Sequence, residues 1–83
     1  MSFELFTRVA LKQDFPRHRL RKGDVATVVE KHQGAPGQET GYSLEVFNAI
    51  GETIAILTAP ESQVEPLFDD EVLHVRQLEM AEA

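Results

Sequence analysis

The chain contains no cysteine and no tryptophan. Without thiols it forms neither a disulfide nor a thiolate metal site, so two common staples of small domains are excluded. Histidine is scarce as well: His18, His32 and His74 stand too far apart to make a metal-binding pair on one turn of a helix. No apolar run approaches the roughly 20 residues that cross a bilayer. Met1 to Leu5 lacks the basic stretch and apolar run of a secretory signal, so a soluble, cytoplasmic protein is expected. The glycines build no phosphate cradle. Gly34-Ala35-Pro36-Gly37 lacks a following Lys-Ser/Thr pair, and Pro36 removes one backbone donor.

Enzymatic chemistry has little to stand on. His18, with Asp14 or Asp24 and a Ser or Thr, supplies the residue types of a hydrolase. Neither a nucleophile elbow nor triad spacing surrounds them. A metal site would have to be assembled from His32 with Glu30 or Glu39, beside a glycine-rich loop that offers no rigid support. The expectation is a non-enzyme without cofactor or metal.

At 83 residues the chain is one domain. A chain of this size buries only about 60% of the surface that its unfolded form exposes, so apolar packing and backbone hydrogen bonds must hold it. The formal charge of −6 is unevenly spread. Residues 1–31 carry seven Lys/Arg and four Asp/Glu, a net +3, whereas residues 32–83 carry one Arg and ten Asp/Glu, a net −9. An acidic surface repels phosphate backbones. The one basic cluster is Arg17, Arg19, Arg21 and Lys22.

The strand pattern is more explicit. Arg8 to Leu11 reads as a first short strand, with Phe6 as an upstream extension, ended by Asp14-Phe15-Pro16. Arg17 to Lys22 reads as a loop pinned by one buried residue, Leu20. After the Gly23-Asp24 turn, Val25 to Glu30 is rich in β-branched residues and is the strongest strand. His32 to Gly41 is a glycine-rich, flexible connection. Tyr42 to Phe47 alternates apolar and polar residues, and Asn48 to Gly51 makes a hairpin turn. Glu52 to Thr58 returns as the next strand. Pro60 to Gln63 is a single helical or 3-10 turn. Val64 to Leu67 is a short last strand in which Pro66 demands an edge or an end. The expected fold is all-β: a small SH3-like five-stranded barrel over residues 1–68, closed around Val25, Val28, Leu44, Val46, Ile54 and Leu57. Residues 69–83 form a tail. Within it Val72 to Val75 reads as an edge strand, with a short helix from Glu71 as the alternative.

Two stretches carry a resemblance. Lys22-Gly23-Asp24-Val25-Ala26-Thr27-Val28-Val29-Glu30, preceded by Asp14-Phe15-Pro16, is similar to bacterial proteins of the domain-of-unknown-function family numbered 4926. Tyr42 to Val46, Gly51-Glu52-Thr53 and Leu57-Thr58 resemble the second half of the same family. The likeness spans roughly residues 5–67 and implies an SH3-like barrel without implying an activity. The first stretch also resembles, more weakly, the KOW element of nucleic-acid-binding barrels. Ala26 stands where that element often has glycine, and its basic pattern is only partly matched by Arg17, Arg19, Arg21 and Lys22.

Two functions follow as expectations. The first is a non-catalytic protein-interaction module, antitoxin-like or immunity-like in size and charge. It docks on a protein partner or on itself through Val72, Leu73, Val75 and Leu78, which are too apolar for a free tail. The second is a nucleic-acid-binding barrel. It uses Arg17, Arg19, Arg21 and Lys22, with Phe15 and Tyr42 as stacking planes.

Overall fold

The computed structural model describes residues 2–78. Five strands form one antiparallel sheet: β1 Arg8–Leu11, β2 Val25–His32, β3 Gly41–Phe47, β4 Thr53–Pro60 and β5 Val64–Pro66. Their order is β4-β3-β2-β1-β5. Two 3-10 turns interrupt the connections, Pro16–His18 between β1 and β2 and Glu61–Gln63 between β4 and β5. Among the described residues no helix is long and apolar enough to cross a membrane.

Alternation along each strand puts one row of side chains inward. Val28 stands opposite Leu44, and Leu44 opposite Leu57, so three strands give the centre of the core one residue each. Val9, Leu11, Ala26, Tyr42, Val46, Ala59 and Val64 join them, with Phe3 from the N-terminal segment and Leu20 from the β1–β2 loop. Leu20 is 2% exposed, and its backbone pairs with Phe15, so the one apolar residue of that loop does pin it. The opposite face carries the row Arg8, Thr27, Glu45 and Ile56, each directly across from the next.

Tyr42 is the largest fully buried side chain, and its polar end is satisfied on both sides. The hydroxyl accepts from the Phe3 N–H at 3.0 Å and donates to Glu61 Oε1 at 2.8 Å. The Phe3 ring meets the Tyr42 ring edge-on, with centroids 5.5 Å apart. One side chain on β3 therefore ties the N-terminal segment to the second 3-10 turn.

Several expectations are corrected. Phe6 does not extend β1: it lies in a turn with φ 67° and is 74% exposed. Ile54 is outside the core because it alternates with Ala55 and Leu57 and shares the outward face of Ile56. Val25 is only half-buried, since it alternates with Ala26 and faces the other side of the sheet. The glycine-rich loop is shorter than expected, because His32 and Gly41 pair with each other at the strand ends. The sheet is also not closed into a barrel. β4 and β5 stand at its two ends with no ladder between them. β5 is only three residues long, and its last residue, Pro66, has no N–H to give to a further ladder.

Candidate interaction surface

After β5 the chain reverses in a turn over Phe68 to Glu71, closed by Glu71 N–H donating to the Phe68 carbonyl at 3.1 Å. The Glu71 carboxylate caps the same turn, accepting from the Phe68 N–H at 2.6 Å. Residues 71–78 then run back without helix or strand, so the tail takes neither of its two expected conformations. A segment with no ladder partner and too few turns to nucleate a helix stays irregular unless its side chains anchor it.

The anchor is Arg76. Its guanidinium grips both carboxylate oxygens of Asp24, with Nε donating to Oδ1 at 2.9 Å and Nη2 donating to Oδ2. Nη2 also reaches the Arg19 carbonyl at 3.4 Å, and Nη1 the Gln77 carbonyl at 3.1 Å. Asp24 is prepared for this role by the turn that carries it, because its Oδ2 accepts from the Arg21 N–H at 2.7 Å. Partial burial raises the Asp24 carboxyl. The hydrogen bonds from Arg76 and Arg21 and their positive charge outweigh that effect, so the group is held below its ordinary value. The Arg76 guanidinium is correspondingly raised, chiefly by its hydrogen bond to Asp24.

Between tail and sheet lies an open groove of about 950 Å³, lined among others by Ala10, Val25, Phe47, Ile54 and Leu73. Ala10 faces away from the main core, opposite Val25, yet is only 4% exposed. It sits at the floor of this groove.

The four apolar tail residues expected to act together are divided. Leu78 is half-buried and packs against the molecule's own core. Leu73 is half-exposed along the groove, while Val72 and Val75 are 93% and 88% exposed. The outward set is thus Val72 and Val75, with Leu73 between them.

Arg17, Arg19, Arg21 and Lys22 are all exposed on the one loop between β1 and β2. The loop is tightened by the Lys22 N–H donating to Asp14 Oδ1 at 2.9 Å. The aromatic planes expected beside them are withdrawn: Tyr42 is fully buried, and Phe15 is half-buried against the core.

The residues considered for catalysis and metal binding are dispersed. Asp14 and Asp24 are engaged as described, and the buried His18 Nδ1 has no partner. His32 Nε2 lies 2.7 Å from Ser43 Oγ and 3.6 Å from Glu30 Oε1. Glu39 is engaged elsewhere, accepting from the Ser62 N–H at 2.8 Å and from its hydroxyl at 3.1 Å. Among the described residues no three His, Cys, Asp or Glu side chains gather as a metal site would need.

Sequence reasoning missed Arg76. A signal was present: Arg76 is the only Lys or Arg after Lys31. A lone cation at the end of an acidic stretch suits a specific carboxylate better than a solvated face.

No curated protein matches this chain, and no solved structure does. Residues 5–66 match the family described as Domain of unknown function (DUF4926). That span takes in all five strands and both 3-10 turns and ends with β5, short of the tail. With most of its length inside the match, the chain belongs to the DUF4926 family.

Proposed function

We propose that this protein is a non-catalytic protein-interaction module of SH3-like layout that docks on a protein partner through its tail. The layout is supported by the strand order and by the 3-10 turn between β4 and β5. The docking reading rests on one observation: Val72 and Val75 stand in water on a segment clamped to the body by the Arg76–Asp24 fork. Apolar side chains held outward on an anchored segment lose little further freedom when they enter a partner's cleft. Asp69, Asp70 and Glu71 precede them, so the cleft that fits is apolar with a basic rim.

The test is affinity capture with the wild-type chain and with a Val72→Asp/Val75→Asp variant shown to be folded by circular dichroism. Loss of partners captured by the wild type is the expected result. Equal recovery by both chains refutes the reading.

A second reading, nucleic-acid binding, is favoured by the exposure of Arg17, Arg19, Arg21 and Lys22 on one loop. It predicts an electrophoretic shift that weakens steeply with salt. No shift at about 50 μM protein in low salt, where nonspecific binding is tighter than its ordinary range of about 1–100 μM, removes it.

A further inference from the structure

The sheet has two edges, and only one of them is blunted. β5 has three residues and ends in Pro66, which offers no N–H to a further strand. β4 is the opposite case. It runs for eight residues, Thr53–Pro60, with no charged side chain and no proline before its last position. The one irregularity of the β3–β4 ladder lies at the hairpin end, between Val46 and Phe47. Charge, proline, bulges and brevity keep natural edges from pairing, and Ile56 to Ala59 carries none of them.

The backbone groups at this edge follow from the register. Just past the strand, the Glu61 N–H donates to the Thr40 carbonyl at 2.9 Å. Bonded and non-bonded pairs alternate along an antiparallel ladder, so Ala59 bonds with Tyr42 and Leu57 with Leu44. Ile56 and Thr58 therefore turn their N–H and C=O groups away from β3. Among the described residues no backbone hydrogen bond from outside the β3–β4 ladder reaches them. The first 3-10 turn approaches β4 without a backbone hydrogen bond to it, and Ile56 stays 62% exposed.

We propose that β4 of a second copy pairs antiparallel along this edge, joining two sheets into one across a two-fold axis at Ile56. None of the pairing residues belongs to the tail. Two observations favour a second copy over a foreign strand. In this register Ile56 meets Ile56 and Thr58 meets Ile54, so β-branched side chains face one another on the outer surface. Charge is the second. Glu52 falls opposite Pro60 and Glu61 opposite Gly51, so no carboxylate faces another although each chain carries −6. The outer row Arg8, Thr27, Glu45 and Ile56 continues through the second Ile56. The two Glu45 residues then stand three strand spacings apart, about 14 Å. That exceeds the screening length of about 8 Å at physiological salt.

The absence of cysteine makes the register testable by disulfide trapping of the full chain. Opposed Ile56 Cα atoms would lie about 5.5 Å apart, within the span of about 4.4–6.8 Å that a disulfide bridges. Ile56→Cys should therefore cross-link to itself under mild oxidation. Thr58→Cys alone should not, because its counterpart is displaced by about four residues, or roughly 13 Å along the strand. Mixed with Ile54→Cys it should. Sedimentation should show the wild type dimerising below about 1 mM, and Ile56→Lys, which sets two lysines opposite each other, needing about tenfold more protein. Circular dichroism checks that this exposed substitution leaves the fold intact. A wild type that stays monomeric at about 1 mM leaves the edge to a strand of another protein and overturns the proposal. It is overturned equally if Thr58→Cys alone links as fast as Ile56→Cys, or if folded Ile56→Lys dimerises like the wild type. Partner capture through the tail is judged separately by the Val72→Asp/Val75→Asp variant, which leaves β4 untouched.

Discussion

Tyr42→Phe removes one oxygen atom from the middle of the fold and leaves the ring in place. The Phe3 N–H, buried and bonded to that oxygen at 3.0 Å, loses its acceptor. A buried donor left unsatisfied costs about 1–3 kcal/mol. The chain has an escape, since the N-terminal segment can peel away and hydrate its amide. It then gives up the burial of the Phe3 ring, about 1.5–3 kcal/mol. Glu61 also loses a donor but reaches water, so its share is small. The expected loss is about 2 kcal/mol, and at about 4–8 °C per kcal/mol for a domain this small the Tm should fall by roughly 8–16 °C. Urea unfolding followed by far-ultraviolet circular dichroism is the suitable assay. Tyr42 is the only tyrosine and there is no tryptophan, so the variant carries no fluorescent reporter. The m-value should stay unchanged. A variant within about 0.5 kcal/mol of the wild type, the range of a neutral surface change, refutes the claim that this hydroxyl joins the N-terminus to the second 3-10 turn.

The same hydroxyl gives an alkaline signature. Burial raises the Tyr42 hydroxyl above its ordinary value of 10.0, and Glu61 reinforces this against the Phe3 N–H. Its contribution to stability is therefore complete below pH 10 and is lost as pH rises through the raised folded value, so Tyr42→Phe should flatten the alkaline limb of a stability–pH curve. Asp24 acts at the acid end. Its folded value lies below 3.8, so its contribution is present above that pH and lost as pH falls through the folded value. Asp24→Asn should remove that part of the acid limb, and Arg76→Gln should make residues 71–78 more open to limited proteolysis, with a loss of about 1–3 kcal/mol. Gly34→Ala should destabilise by about 1–3 kcal/mol in urea titration, because the added methyl meets the Glu39 carbonyl oxygen at 2.6 Å, a backbone atom that cannot swing aside. Leu44→Ala, emptying a fully buried position between Val28 and Leu57, should lose about 2–5 kcal/mol and leave the domain partly unfolded by thermal scan.

The five strands and the second 3-10 turn were legible because their signals are local. Period-2 alternation at Tyr42, Leu44 and Val46, β-branched density at Val25 to Val29, and Asn48 to Gly51 between two strands need no knowledge of the rest of the chain. The Asn48 side chain confirms how local the hairpin is. Its Oδ1 accepts from the Ile50 and Glu52 N–H groups at 3.1 and 2.9 Å, while Gly51 takes φ +87°. What eluded local reasoning was the position of Ile54 and Phe6. Phe6 is turned outward by its left-handed backbone, which no periodicity announces, whereas Ile54 follows the alternation that it shares with Ile56, opposite to Leu57.

The candidate surface was only half legible. Composition marked the tail as too apolar to float free and the β1–β2 loop as the one basic place, but not that they meet. Arg76 and Asp24 are 52 positions apart, and Tyr42 and Phe3 are 39 apart. By itself the sequence determined which residues alternate, where the chain turns and how charge divides between its two halves, because these follow from neighbours a few positions away. Tertiary structure alone decided that the sheet stays open, that Leu78 turns inward while Val72 and Val75 turn outward, and that one arginine closes the tail onto the body. Those outcomes depend on which distant groups reach each other once the strands are paired, and a linear pattern holds no information about that distance.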